Sequence, residues 1–144
     1  MKTLFLLIFL GLGGNIFVPA HAKSKPRGGQ NYYVDAQNGD DRADGKSEKT
    51  AWKSLLRTKE LQLRAGDSLL LRRNSSFNGL LEVSAEGKAG RPVVIGAYGT
   101  GRKPCIQAPD SSLYTVLVRN SDYLTLENLE VVNTGKQRMA NRTG

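Results

Sequence analysis

The sequence predicts an all-β fold, a right-handed parallel β-helix (solenoid), over residues 66–135 of a 144-residue chain. Three observations carry this expectation. Beyond Gly66 the apolar residues switch to a period of two, in short runs punctuated by Gly, Asn and Pro with no helix between them. Apolar positions recur at steps in the low twenties, Leu71 to Val94 and Val94 to Val116, the size of a solenoid coil. In Leu124-Thr125-Leu126-Glu127-Asn128-Leu129-Glu130-Val131 two short strands flank a single Asn, which turns a corner because Asn tolerates the left-handed region. An antiparallel sandwich is the rival, but it calls for two-residue Asn-Gly or Asp-Gly loops between strands of even length.

Residues 1–22 have the pattern of an export signal. Lys2 supplies positive charge, Leu4 to Leu10 the apolar run and Ala20-His21-Ala22 the small-x-small cleavage site. The run is shorter than the ~20 residues of a membrane span, so a retained anchor is the weaker reading. The expected location is secreted or periplasmic, with no stable membrane anchor after cleavage. Residues 23–31 read as a flexible tail, and residues 32–65 as an N-terminal strand, a turn loop and a short helix. The strand is Tyr32-Tyr33-Val34; the loop from Asp35 to Gly45 carries Asn-Gly and Asp-Gly turn pairs. Ser47 or Thr50 is placed to cap a helix whose stripe is Ala51, Trp52, Leu55 and Leu56, ending near Leu61 or Leu63. The runs expected as strands are Leu69–Leu71, Leu80–Val83, Pro92–Tyr98, Pro104–Ala108, Tyr114–Val118, Tyr123–Glu127 and Leu129–Val132.

Composition narrows the chemistry. The only His, His21, lies in the signal, and the only Cys is Cys105, read as a small buried apolar residue. A Ser-His-Asp or Cys-His device, a His/Cys zinc site and an intrachain disulfide are thereby excluded from the mature chain. The formal charge of +8 attracts acidic polysaccharide or another anionic surface. The basic residues are scattered rather than arranged on one helix face or among aromatics, so nucleic acid is not an expected partner.

Several segments resemble secreted right-handed parallel β-helix proteins of the pectate-lyase-like superfamily, and specifically their N-terminal portion. They are Tyr32-Tyr33-Val34-Asp35 with its Asn-Gly-Asp loop, Thr50 to Leu55, Ala65-Gly66-Asp67-Ser68-Leu69, Gly87 to Ile95 and Asp122 to Leu129. The resemblance implies that the short helix caps the first coil. It also implies a polysaccharide-active protein, an acidic-polysaccharide lyase above all, with a glycoside hydrolase left open; the alternative is a non-catalytic β-helix that binds carbohydrate or serves as a surface adhesin. Residues 66–135 make about three coils at this spacing. Residues 136–144 read as a polar tail or a truncated insertion. The chain is therefore expected to be truncated, with Leu124, Leu126, Leu129 and Val131 forming an uncovered floor through which it self-associates.

No complete active site is legible, and no catalytic residue is assigned. Asp35, Asp40, Asp41 and Asp44 are closely spaced oxygen donors of a kind Ca²⁺ accepts, although the loop lacks the EF-hand pattern. The resemblance implies Ca²⁺ in a full-length lyase and no cofactor in this chain. Arg72, Arg73, Lys88, Arg102, Lys103 and Arg119 are available to act on a uronate, but no spacing singles one out. Glu127 and Glu130 are expected on different outer faces rather than as a hydrolytic pair.

Overall fold

The computed structural model describes residues 28–133. The signal at 1–22 and the tail at 136–144 lie outside the described residues. The described chain is all-β, with strands β1 (Asn31–Val34), β2 (Gln62–Arg64), β3 (Ser68–Arg72), β4 (Ser76–Asn78), β5 (Leu81–Glu86), β6 (Val93–Tyr98), β7 (Cys105–Gln107), β8 (Val116–Asp122), β9 (Leu124–Leu126) and β10 (Glu130–Val132). Every strand pairing is parallel. The strands form three sheets: sheet A in the order β1-β3-β6-β9, sheet B β2-β5-β8, and sheet C β4-β7-β10. From β3 onward the chain visits A, C and B in turn and then repeats, so each circuit adds one strand to each sheet. Among the described residues no helix is long and apolar enough to cross a membrane.

Strand alternation explains the core. Within β3, Leu69 and Leu71 are fully buried while Ser68, Leu70 and Arg72 are only partly so. Parallel register then stacks like on like. Tyr32, Leu69, Ile95 and Leu126 align through sheet A, and Phe77, Ile106 and Val131 through sheet C. In sheet B Leu63 aligns with Ala85, and Val83 with Val118. Each large side chain buried this way contributes about 1.5–3 kcal/mol. The ladders end on open residues. Leu126 is 45% exposed, Val131 51% and Val118 40%, although their partners Ile95, Ile106 and Val83 lie in the core.

The corner at Asn128 is as expected, with φ 57°. The spacing is not. Val94 lies in sheet A and pairs with Thr125, whereas Val116 lies in sheet B and pairs with Leu81. Leu71 pairs with Ala97 rather than with Val94. Offsets between paired residues run from 22 (Gln62 to Ser84) to 37 (Asn31 to Ser68), because the segments between paired strands differ in length. Cys105 also departs from expectation: it is half-buried, and its neighbour Ile106 takes the inward position.

The expected helix is two short 3-10 helices, Glu48–Thr50 and Leu55–Glu60. Ser47 caps the first with a reciprocal bond to Thr50, and Ser54 caps the second. Between them Ala51 and Trp52 are drawn out of helical geometry by strand pairing. Trp52 N–H donates to Tyr33 O at 2.9 Å and Asp35 N–H donates to Trp52 O at 2.7 Å. Two backbone bonds to an adjacent strand outweigh the weak propensity of a short helical stripe. Leu56, placed on the apolar stripe by sequence, is 68% exposed, and Thr58 is buried instead, its hydroxyl donating to Leu55 O.

Candidate functional site

The four loop carboxylates are turn-builders. Asp35 is buried, and its Oδ1 accepts from the N–H groups of Gln37 at 2.9 Å and Asn38 at 3.1 Å, while its Oδ2 lies 3.4 Å from the Arg72 guanidinium. Burial pushes its pKa up, but these donors outweigh burial and hold it below the ordinary carboxylate value. Asp41 Oδ1 accepts from the N–H groups of Lys53 and Ser54, both at 2.9 Å, and fastens the loop to the segment between the 3-10 helices. There too burial raises the pKa, and the bonds from Ser54 and Lys53, with Arg57 nearby, bring it below the ordinary value. Asp40 and Asp44 each accept from the N–H two residues on, Arg42 and Lys46. The Lys46 bond is the main cause of a lowered pKa at Asp44. Among the described residues no group of three or more His, Cys, Asp or Glu gathers where a metal ion would sit. The sequence spacing brings these carboxylates near one another, but each is turned to its own backbone donors.

The basic candidates are dispersed over the sheets. Arg72 pairs with Asp35, Arg119 lies 3.5 Å from Glu82, and Arg73 donates to Gly101 O. Arg102 and Lys103 are exposed in the turn before β7. Glu127 flanks Gly96 in sheet A, while Glu130 stands in register with Cys105 in sheet C. The two carboxylates therefore face different sides.

Lys88 lines a cavity. A cleft of about 660 Å³ runs along the turns from sheet B to sheet A, bounded by Gly28, Arg64, Ala65, Asp67, Glu86, Gly87, Lys88, Arg91 and Asp122. Parallel register assembles it: Arg64 in β2 aligns with Glu86 in β5, and Glu86 with Asp122 in β8. These three side chains form a ladder of charges along one edge, one strand spacing of ~4.8 Å apart. The opposite edge comes from the turns. Lys88 and Arg91 bond each other's backbone in a tight turn, and the Arg91 side chain lies over Gly66, whose φ of 88° and missing Cβ leave it room. Asp67 is buried and accepts from Gln30 N–H at 2.8 Å and Arg64 N–H at 2.9 Å, tying the first turn to the N-terminal strand. Sequence reading named Lys88 but missed its neighbours, since residues as distant as Arg64 and Asp122 meet only through the strand register.

No family model matches the chain. Comparison with characterised proteins finds a lacto-N-biosidase of Bifidobacterium longum subsp. longum, 32% identical over 132 residues. The match takes in 73% of this chain and 8% of that protein. Crystal structures of a GH136 lacto-N-biosidase from Eubacterium ramulus, native and selenomethionine-substituted, superpose with a TM-score of 0.65 at 34% identity. They cover 78% and 79% of this chain, which in turn covers 21% and 22% of theirs. The chain thus spans a small part of the length of each relative.

The pectate-lyase-like assignment is overturned. The proteins that this chain matches are lacto-N-biosidases, glycoside hydrolases rather than lyases, and the lyase function falls with the assignment. The physical reason lies in the residues that suggested it. A Gly-Asp opening, an Asn corner and alternating apolar runs are what any chain needs to stack parallel strands, whatever its reaction. The names of these relatives point to a saccharide substrate for them, and none points to the acidic polysaccharide that was expected.

Proposed function

We propose that this chain is part of an exported glycoside hydrolase of the lacto-N-biosidase kind, in which residues 31–132 build coils of a right-handed parallel β-helix. The observation that carries the reading is the joint match in sequence and structure, 34% identity with a TM-score of 0.65 over 78% of the chain. Two further features support it. The A-C-B circuit with uniformly parallel pairing is the path a β-helix takes, and parallel crossovers are overwhelmingly right-handed. The signal pattern from Lys2 to Ala22 supports export. In this reading the present residues serve as a rigid scaffold, and the substrate is an oligosaccharide from which a disaccharide is released.

The test is to express the complete gene product that carries this chain and assay a chromogenic lacto-N-bioside. Release of lacto-N-biose is the expected result. A folded full-length protein that leaves the substrate intact would overturn the assignment. N-terminal sequencing of the exported form checks the signal, with Lys23 expected as the first residue.

A further inference from the structure

We propose that the cleft between the Arg64–Glu86–Asp122 ladder and the Lys88–Arg91 turn binds a neutral saccharide, with Tyr123 as the aromatic platform at its rim. The inference rests on reading the protein as carbohydrate-active. It assigns that activity a contact on this chain.

The cavity, about 660 Å³, falls in the range that holds small ligands. Its charged lining comprises three cations, Arg64, Lys88 and Arg91, and three carboxylates, Asp67, Glu86 and Asp122. The charges cancel, so the site offers little field to a polyanion and has too much polar surface for an apolar ligand. A sugar hydroxyl both donates and accepts, which matches donors and acceptors set side by side. Asp67 is spoken for by two backbone N–H groups and acts as a fixed post. Glu86 and Asp122 are exposed and stand in register on adjacent strands. Spaced by one strand repeat, they can each accept from a different hydroxyl of one ring or from neighbouring rings.

Tyr123 adds an independent observation. Its φ of 48° is a conformation that a bulky residue adopts only when its surroundings impose it. Here the backbone on both sides is held: Gly87 N–H donates to Asp122 O and Val93 N–H donates to Tyr123 O, each at 2.9 Å. A Cβ on Gly87 would lie 2.9 Å from the Tyr123 Cβ, so the tyrosine, outside the lining itself, borders a lining residue, and it is 60% exposed. An exposed aromatic beside paired carboxylates and cations supplies the apolar face that a pyranose C–H surface stacks on.

The experiment uses ¹⁵N-labelled residues 23–144 carrying Val118→Lys and Val131→Lys to keep it monomeric, titrated with the neutral disaccharide lacto-N-biose and, separately, with an acidic digalacturonate, while amide shifts are followed. The expected result is saturable shifts centred on Gly87, Lys88, Arg91, Asp122 and Tyr123 with lacto-N-biose and weaker ones with digalacturonate. Glu86→Gln and Asp122→Asn each weaken binding about tenfold with the amide spectrum otherwise unchanged, the loss of one charge-assisted hydrogen bond. Tyr123→Gly separates roles: it relieves the backbone conformation and so raises the melting temperature, yet it weakens binding by roughly fivefold. Shifts confined to other residues, tighter binding of digalacturonate, or variants that bind like the parent would each overturn the proposal. If the full gene product hydrolyses lacto-N-biosides but this chain binds nothing in the cleft, only this proposal fails. If the cleft binds the disaccharide but no hydrolysis is found, only the assigned reaction fails.

Discussion

Removing the Ile95 side chain down to Ala tests the stacked-ladder architecture most directly when set against the same change at Leu126. The two residues are register partners on adjacent strands of sheet A, yet Ile95 is fully buried and Leu126 is 45% exposed. Ile95→Ala removes three carbons, worth about 2.4 kcal/mol at ~0.8 kcal/mol each. The unfilled space between Leu69 and Leu126 raises this to about 3–4 kcal/mol. Leu126→Ala recovers only the part of that transfer that burial supplied and opens no closed cavity, so about 1 kcal/mol is expected. Urea unfolding followed by the fluorescence of Trp52, the single tryptophan and a buried one, measures both. The comparison is made at low protein concentration, because an open inner face is also a surface for self-association. Equal costs for the two substitutions in a monomeric sample would refute the reasoning, since they would mean that the end of the stack is covered.

Three further outcomes are expected. The Asp35 pKa is depressed in the folded chain, so the stability it contributes is present above the unfolded carboxylate pKa and is lost as pH falls through the lower folded value. Thermal melts between neutral and strongly acidic pH should show this acid loss, and Asp35→Asn should flatten it while lowering stability at neutral pH by about 1–2 kcal/mol through the lost Arg72 pair and the weakened, now uncharged, acceptor for the Gln37 and Asn38 N–H groups. Gly87→Ala should cost at least 1–3 kcal/mol in urea titrations, because the methyl meets the carbonyl oxygens of Asp122 and Tyr123, whereas Gly79→Ser, with open space around it, pays only for its φ of 147°. Size-exclusion chromatography of residues 23–144 should give an apparent mass that rises with concentration, and Val118→Lys together with Val131→Lys should return it to a monomer; a concentration-independent monomer in the parent would show that the exposed ladder ends do not associate.

Much of the strand content was legible because apolar residues alternate where one face of a strand is buried. Leu69 and Leu71, Val93 and Ile95, and the pair of strands about Asn128 all declare themselves in this way. The strands that were missed are β2 and β4, each of three residues with a single inward side chain, Leu63 and Phe77. One apolar residue carries no period, and Leu63 was absorbed into the helical stripe before it. Coil length was misjudged because sequence spacing adds strand and turn together, and only the strand part is fixed by pairing. The capping Ser47 was legible from local chemistry, whereas the break at Ala51 depended on a backbone partner, Tyr33, on another strand. The cleft was illegible for the same reason: its segments, around Arg64, around Glu86 and at Asp122, meet only through the strand register. The reaction was misread because the recognisable residues answer to stacking and carry no information about the bond to be broken.

The unequal offsets between paired residues have a consequence for how such a chain can be altered. Leu81 and Val116 are register partners across sheet B although the chain between them takes a long excursion through β6, β7 and the stretch from Ala108 to Thr115. Gln62 and Ser84, one layer earlier in the same sheet, are joined by a far shorter path. The layers nevertheless stack, so strand register is indifferent to what hangs from the corners. Corners such as Pro109–Ser112 are thus natural splice points, where a peptide, a tag or a second domain can be carried out into solvent while the rungs on either side keep their alignment.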